Sequence, residues 1–186
     1  MKVDLSKFNN SWLCHGRSFL MRSIWYAINV LFFQNSLNWS SGLKVFLLRL
    51  FGAKIDNGVI VKPGVNVKYP WNLKIGHHSW IGESVWLDSI GPIEIGCNVC
   101  ISQGVYCCTG NHDWKDVAFG LIVKPICIED GAWVAAAAIV LPGVTVANHS
   151  VISAGSIIKE DTEPYTIYAG NPAVPIGMRR IDGNEF

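Results

Sequence analysis

Half of the 186 residues are hydrophobic and only 16% are charged, with 18 glycines among them. That length fits one domain with a real core, and the glycine content suits a β-rich chain with many corners better than a helical bundle. Fifteen basic against 14 acidic side chains leave a formal charge of +1, and nothing in that balance suggests the concentrated positive patch of a nucleic-acid surface.

Residues 1–54 read as a helical cap. "SFLMRSIWYAINVLFF" (18–33) is apolar, but Arg22 interrupts it, it is too short to cross a bilayer, and no small-residue cleavage site follows. The expectation is an amphipathic or buried helix. "SGLKVFLLRLFGA" (41–53) predicts a second, with Ser41 near its start and Gly52 at its end. Their plain role is to cover the open end of the β-rich segment that begins at Ile55. A sharper alternative has Arg17, Arg22, Lys44 and Arg49, with the nearby aromatics, resting on a membrane surface.

From Ile55 to residue 163 an aliphatic residue recurs at every sixth position, as in Ile75, Ile81, Leu87, then Ile95, Ile101, Cys107, and then Ile128, Val134, Val140, Val146, Ile152, Ile158. Four residues after each comes a small or β-branched side chain, Ser79, Val85 and Ala132 among them, with Asn111 as the exception. Neither a helical period nor plain alternation produces this phase; a hexapeptide repeat does, three repeats making a coil of about 18 residues around a triangular prism. Each coil buries its inner face only by stacking on the next. "NLKIG", "PIEIG" and "PICIE" mark joins between coils, and about five coils fit. An ordinary sandwich of short strands explains the six-residue phase poorly.

The repeat breaks once, at an irregular loop over about residues 109–124 that begins "TGNHDWKD". Residues 164–186 leave the repeat through Pro and Gly as a short extension, with "PYTIYAGNPAVPIGMRR" able to wrap over a neighbouring coil. Of the five histidines, His77, His78 and His149 occupy corners of hexapeptides, whereas His112 stands in the loop. Function is usually carried on loops that leave a rigid scaffold, and an imidazole suits a general base, so His112 is the candidate for chemistry. The six cysteines, with no secretion signal, point to reduced thiols in the cytoplasm; the Cys97-x-x-Cys100 spacing lacks the second pair that a zinc site needs.

The hexapeptide series, the "TGNHD" loop, the re-entry "KPICIEDGAWVAAAAIVLPGVTV" and the ending "IYAGNPA" together resemble the hexapeptide-repeat acetyltransferases. Within them the chain is most similar to the colanic acid and exopolysaccharide biosynthesis branch, through "NWSSGLKVFLLRLFGA" and "YPWNLKIG", and the likeness spans nearly the whole chain. The resemblance implies an all-β, left-handed parallel β-helix, an exception to the right-handed crossover rule. It further implies a homotrimer with active sites between subunits, acetyl-CoA in a groove between neighbouring prisms, and no metal. The acceptor would be a sugar or a lipid-linked oligosaccharide, and the location cytoplasmic or peripheral to the inner face of the membrane.

By the same matching His112 is the catalytic base, which takes a proton from the acceptor hydroxyl and returns it to the CoA thiolate. Asp88 falls where sugar-accepting relatives bind the acceptor, the alternative being a solvated corner carboxylate, and Asn111 would orient His112 or the sugar. Trp133 matches an aromatic near the thioester, and Ala136 and Ala154 match small positions lining the pantetheine groove. Lys159-Glu160 and Val174-Pro175 depart from the pattern where relatives carry Thr-Lys and Arg, leaving Lys159, Arg179 or Arg180 to meet the CoA phosphates. The "AAAA" run at 135–138 replaces a glycine and narrows the groove slightly. Two competing readings remain: a binding or scaffold solenoid without turnover, and a γ-carbonic-anhydrase-like enzyme using His77, His78 and His112 on a metal.

Overall fold

Three stacks of short parallel strands form the walls of a prism in the computed structural model, which describes residues 2–182. The first face carries Lys54–Ile55, Leu73–Ile75, Ile93–Ile95, Ile126–Ile128 and Thr145–Val146. The second carries Ile60–Val61, Trp80–Ile81, Cys100–Ile101, Trp133–Val134, Val151–Ile152 and Thr166–Gly170. The third carries Asn66–Val67, Trp86–Asp88, Tyr106–Cys108, Ile139–Val140 and Ile157–Ile158. This is the hexapeptide β-solenoid that the six-residue phase predicts, and the phase explains its core. Ile75, Ile95, Ile128 and Val146 pair in register up the first face, and Leu87, Cys107, Val140 and Ile158 up the third. All eight are at most 2% exposed.

The small residues at the corners carry hydrogen bonds as well as saving space. Ser79, fully buried, donates from Oγ to the Gly96 carbonyl (2.7 Å) and accepts from the Val99 N–H (3.0 Å), so it ties two successive coils together.

Helix α1 (Phe19–Ile28) starts on Ser18, whose hydroxyl accepts from the Met21 N–H, and continues into a π-helical turn, Asn29–Phe33. Helix α2 (Ser41–Leu50) is capped in the same way by Ser40. Both close the first coil, which otherwise ends in an open strand edge. The indole of Trp25 donates to the Val67 carbonyl (2.8 Å), the Asn29 side chain accepts from the Val67 N–H (3.2 Å), and Ser41 accepts from the Val61 N–H (2.8 Å).

One cation expected on the membrane-facing side is not available there. Lys44 is fully buried, donates to the Asn38 carbonyl, and burial holds its pKa below the ordinary lysine range. It stands one turn from buried Leu48, on the inward stripe of α2.

At the other end the chain does not leave the prism at residue 164. Thr166–Gly170 adds a sixth parallel strand to the second face, with Tyr168 above Ile152, and Ala173–Met178 folds back antiparallel to it after a cis Asn171–Pro172 peptide.

Candidate active site

The interruption of the repeat is a regular hairpin rather than an irregular loop. Gly110–His112 pairs antiparallel with Leu121–Val123, His112 opposite Leu121. It leaves the corner between the third and first faces and returns to it, for the Lys124 N–H donates to the Thr109 carbonyl (3.0 Å). Thr109 is buried, and its hydroxyl donates to the Asp88 carbonyl (2.6 Å) while accepting from the Gly91 N–H (2.9 Å). The stalk of the hairpin is thereby fixed to the coil below.

His112 is held at its ring. Nδ1 lies 2.9 Å from the Phe119 carbonyl oxygen, which only accepts, so Nδ1 carries the proton and Nε2 of the neutral ring keeps its lone pair. The Phe119 ring stacks on the imidazole at 4.4 Å, and Phe8 packs beside it at 5.7 Å. Phe119 reaches this position with φ +52, in the left-handed region. The N-terminal segment is anchored to the same hairpin, where the Asp4 N–H donates to the Val117 carbonyl (2.9 Å). Asn111 does not touch the imidazole through a hydrogen bond; its Oδ1 accepts from the His112 backbone N–H at 2.8 Å.

Asp88 is not the solvated corner carboxylate of the plainer reading. It ends the strand Trp86–Asp88, is 6% exposed, and pairs in register with Cys108 one coil above. Lys68, one coil below, sits 3.3 Å from one carboxylate oxygen, and the Tyr106 hydroxyl donates to the other at 3.3 Å. Burial, then Cys108 and Asp88, push the Tyr106 phenol far above its usual range, so it remains a donor at neutral pH. Lys68, Asp88 and Cys108 thus form one outward column leading up to the hairpin that bears His112.

The other candidates fall elsewhere on the prism. Ala136 and Ala154 occupy successive coils at the corner between the second and third faces, joined by the Gly155 N–H donating to the Ala136 carbonyl (2.9 Å). Trp133 stands out from the second face, 43% exposed, its indole donating to Ser102 (2.9 Å). The column above Cys108 ends at exposed Lys159, which is paired with Glu160. Arg179 lies at the corner between the first and second faces, where its guanidinium donates to the Gly131 and His149 carbonyls. One protomer therefore brings His112 and Asp88 to one side of the third face, and Ala136 and Ala154 to the other.

No family model matches the chain. It is 37% identical over 176 residues to WcaF of Escherichia coli K12, a protein named for acetyl transfer in colanic acid biosynthesis, covering 95% of this chain and 97% of WcaF. The chain belongs to the hexapeptide-repeat acetyltransferases. Its fold matches a hexapeptide-repeat acetyltransferase of Vibrio cholerae O1 biovar eltor, complexed with acetyl coenzyme A, with a TM-score of 0.76 and 26% identity over 87% of this chain and 88% of that one. A maltose O-acetyltransferase of Clostridium difficile 630 shares the fold at a TM-score of 0.72 and 24% identity, over 88% and 90% of the two chains.

In this acetyltransferase the three histidines of the metal alternative do not converge. His77 and His78 are exposed at the corner between the first and second faces, where His77 meets Asp56 at 3.6 Å, and His112 stands at another corner. Among the described residues no group of three His, Cys, Asp or Glu side chains is placed to hold a metal ion. Sequence reading missed Lys68, Tyr106 and Phe119. The coil length would have found the first two: in register Lys68 is one coil of 20 residues below Asp88, and Tyr106 the same distance above Trp86.

Proposed function

We propose that this acetyltransferase transfers the acetyl group of acetyl-CoA to a hydroxyl of a sugar, in the assembly of an exopolysaccharide of the colanic-acid type, with His112 as general base. The single observation that carries the role of His112 is its Nδ1–H bond to the Phe119 carbonyl, which leaves Nε2 free to accept a proton. Nε2 takes the hydroxyl proton as the sugar oxygen attacks the thioester carbonyl. Backbone N–H groups of the groove stabilise the tetrahedral oxyanion. Collapse breaks the C–S bond, and the protonated imidazole returns the proton to the departing CoA thiolate. The acetyl group never resides on the protein, so no cysteine takes part.

Asp88 fits an acceptor ligand, because a carboxylate held between Lys68 and Tyr106 keeps lone pairs for sugar hydroxyls. The split of candidates across the third face supports a homotrimer in which the groove of Ala136, Ala154 and Trp133 from one copy faces His112 of the next. The outward residues agree: the second and third faces present Trp80, Trp133 and Ile139, while the first presents Lys74 and Glu94. The cap supports contact with the inner surface of the membrane, where a lipid-linked acceptor would lie. Phe19, Leu37 and Trp39 are more than three-quarters exposed, with Arg17 nearby, and among the described residues no helix is long and apolar enough to cross a bilayer.

The test is thiol release from acetyl-CoA across free sugars, nucleotide sugars and lipid-linked oligosaccharides. Release with one acceptor class supports the reading; silence across the panel together with no acetyl-CoA binding would favour a scaffold without turnover.

A further inference from the structure

Below Asp88, a cavity of about 420 Å3 opens between α1 and the third face. Among the described residues its walls include two cations, Arg22 from α1 and Lys68 from the prism, and no carboxylate. The Nε–H of Arg22 is buried and has no hydrogen-bond partner among the described residues, although a desolvated guanidinium N–H ordinarily finds an acceptor. Lys68 Nζ meets a single carboxylate oxygen, Asp88 Oδ1, at 3.3 Å, which leaves its other N–H groups open to a ligand. His15 stands close by, on the Tyr69 hydroxyl at 3.3 Å; burial, then Arg22 and Lys68, hold its pKa below the usual histidine range. Among the described residues the ion pair on this wall is thus Lys68 with Asp88, and the Arg22 guanidinium has no carboxylate partner.

The same cavity has an aromatic wall. Trp86 is 41% exposed and stacks on Tyr106 at 4.6 Å, presenting a flat apolar face of the kind a pyranose ring covers. Lys68 lies two strand spacings below Cys108, roughly 10 Å along the prism, so a group held there is within one or two sugar units of a hydroxyl at the His112 hairpin.

We infer that Arg22 and Lys68 recognise an anionic group, a carboxylate or a phosphate, on the saccharide acceptor, whose ring packs on Trp86. The inference rests on the sugar-acceptor reading of the site. Matched probes separate the sources of charge: methyl glucuronide against methyl glucoside, methyl galacturonide against methyl galactoside, and inorganic pyrophosphate alone. Binding is measured by calorimetry on the full chain saturated with CoA, so that the cofactor's own phosphates fill their site.

At least one anionic probe is expected to bind tenfold or more tightly than its neutral partner, or, for pyrophosphate, tenfold more tightly than to Arg22→Gln/Lys68→Gln. The advantage is expected to shrink as salt rises. Should that double variant fail to fold, Arg22→Lys and Lys68→Arg are expected to keep the advantage, and its salt dependence in the unaltered protein remains a readout. Equal binding of charged and neutral probes, or a preference that survives in a folded double variant, overturns the inference. Thiol release separates it from the parent reading: turnover of neutral sugars without a charge preference overturns the inference alone, and charge-selective binding without turnover of any acceptor overturns both.

Discussion

The proton on His112 Nδ1 is directed at the carbonyl oxygen of Phe119, 2.9 Å away, by a hairpin whose strands pair His112 with Leu121. Because that acceptor is backbone, no side-chain substitution removes it outright. The Phe119 ring, stacked on the imidazole at 4.4 Å, is the adjustable part. Phe119→Ala is expected to lower kcat by about tenfold, as a slackened base does, with the KM for acetyl-CoA little changed. Steady-state kinetics on both substrates checks this, and an equal loss of acetyl-CoA affinity would speak against a positioning role.

Ser79→Ala leaves the Val99 N–H and the Gly96 carbonyl without their buried partner. The expected cost is about 1–3 kcal/mol, read as a fall in the denaturant midpoint at constant slope. A neutral result would mean that the hydroxyl serves only as a small side chain.

Lys44→Met is expected to stabilise. Burial holds the folded-state pKa of Lys44 below that of the unfolded chain, so below both values the fold carries the cost of a buried ammonium. As pH rises through the depressed value, the folded chain releases a proton that the unfolded chain still binds, and stability rises. Thermal melts over alkaline pH should show that rise in the parent protein and lose it in Lys44→Met. A parent profile without it contradicts the assignment.

Thiol reactivity should divide sharply. Cys107 is fully buried, and desolvation, with a smaller contribution from Cys108, pushes its thiol up to about 12, whereas Cys14 is exposed. Mass spectrometry after brief alkylation at neutral pH should find label on Cys14 and none on Cys107. Early label on Cys107 would mean that the third coil opens.

Much of the fold is legible in the chain because each coil repeats one physical requirement, an inward aliphatic residue every sixth position. What escaped broke that phase or hid its partner. Tyr168 continues the column above Ile152, but 16 residues separate them where the repeat supplies 18 between Val134 and Ile152, so the sixth strand reads as an exit. The polar stretch Gly110–His112 lacks the alternation of a half-buried strand, yet it pairs as one because Leu121–Val123 returns opposite it. Lys44 reads as a surface residue by charge, although its spacing from Leu48 puts it on the inward stripe of its helix. In the candidate site His112 is visible as the break in the repeat. The company of Asp88 is legible only through the 20-residue coil length, since Lys68 and Tyr106 come from neighbouring coils.

The central claim is that Nε2 of His112 moves the proton during acetyl transfer. Steady-state acetyl transfer by His112→Asn and His112→Ala, measured on the acceptor found by thiol release, tests it most directly. Both variants are expected to fold as the parent does, to bind acetyl-CoA with similar affinity, and to lose about 10²–10⁴-fold in kcat. Full turnover by a correctly folded His112→Ala would contradict the account.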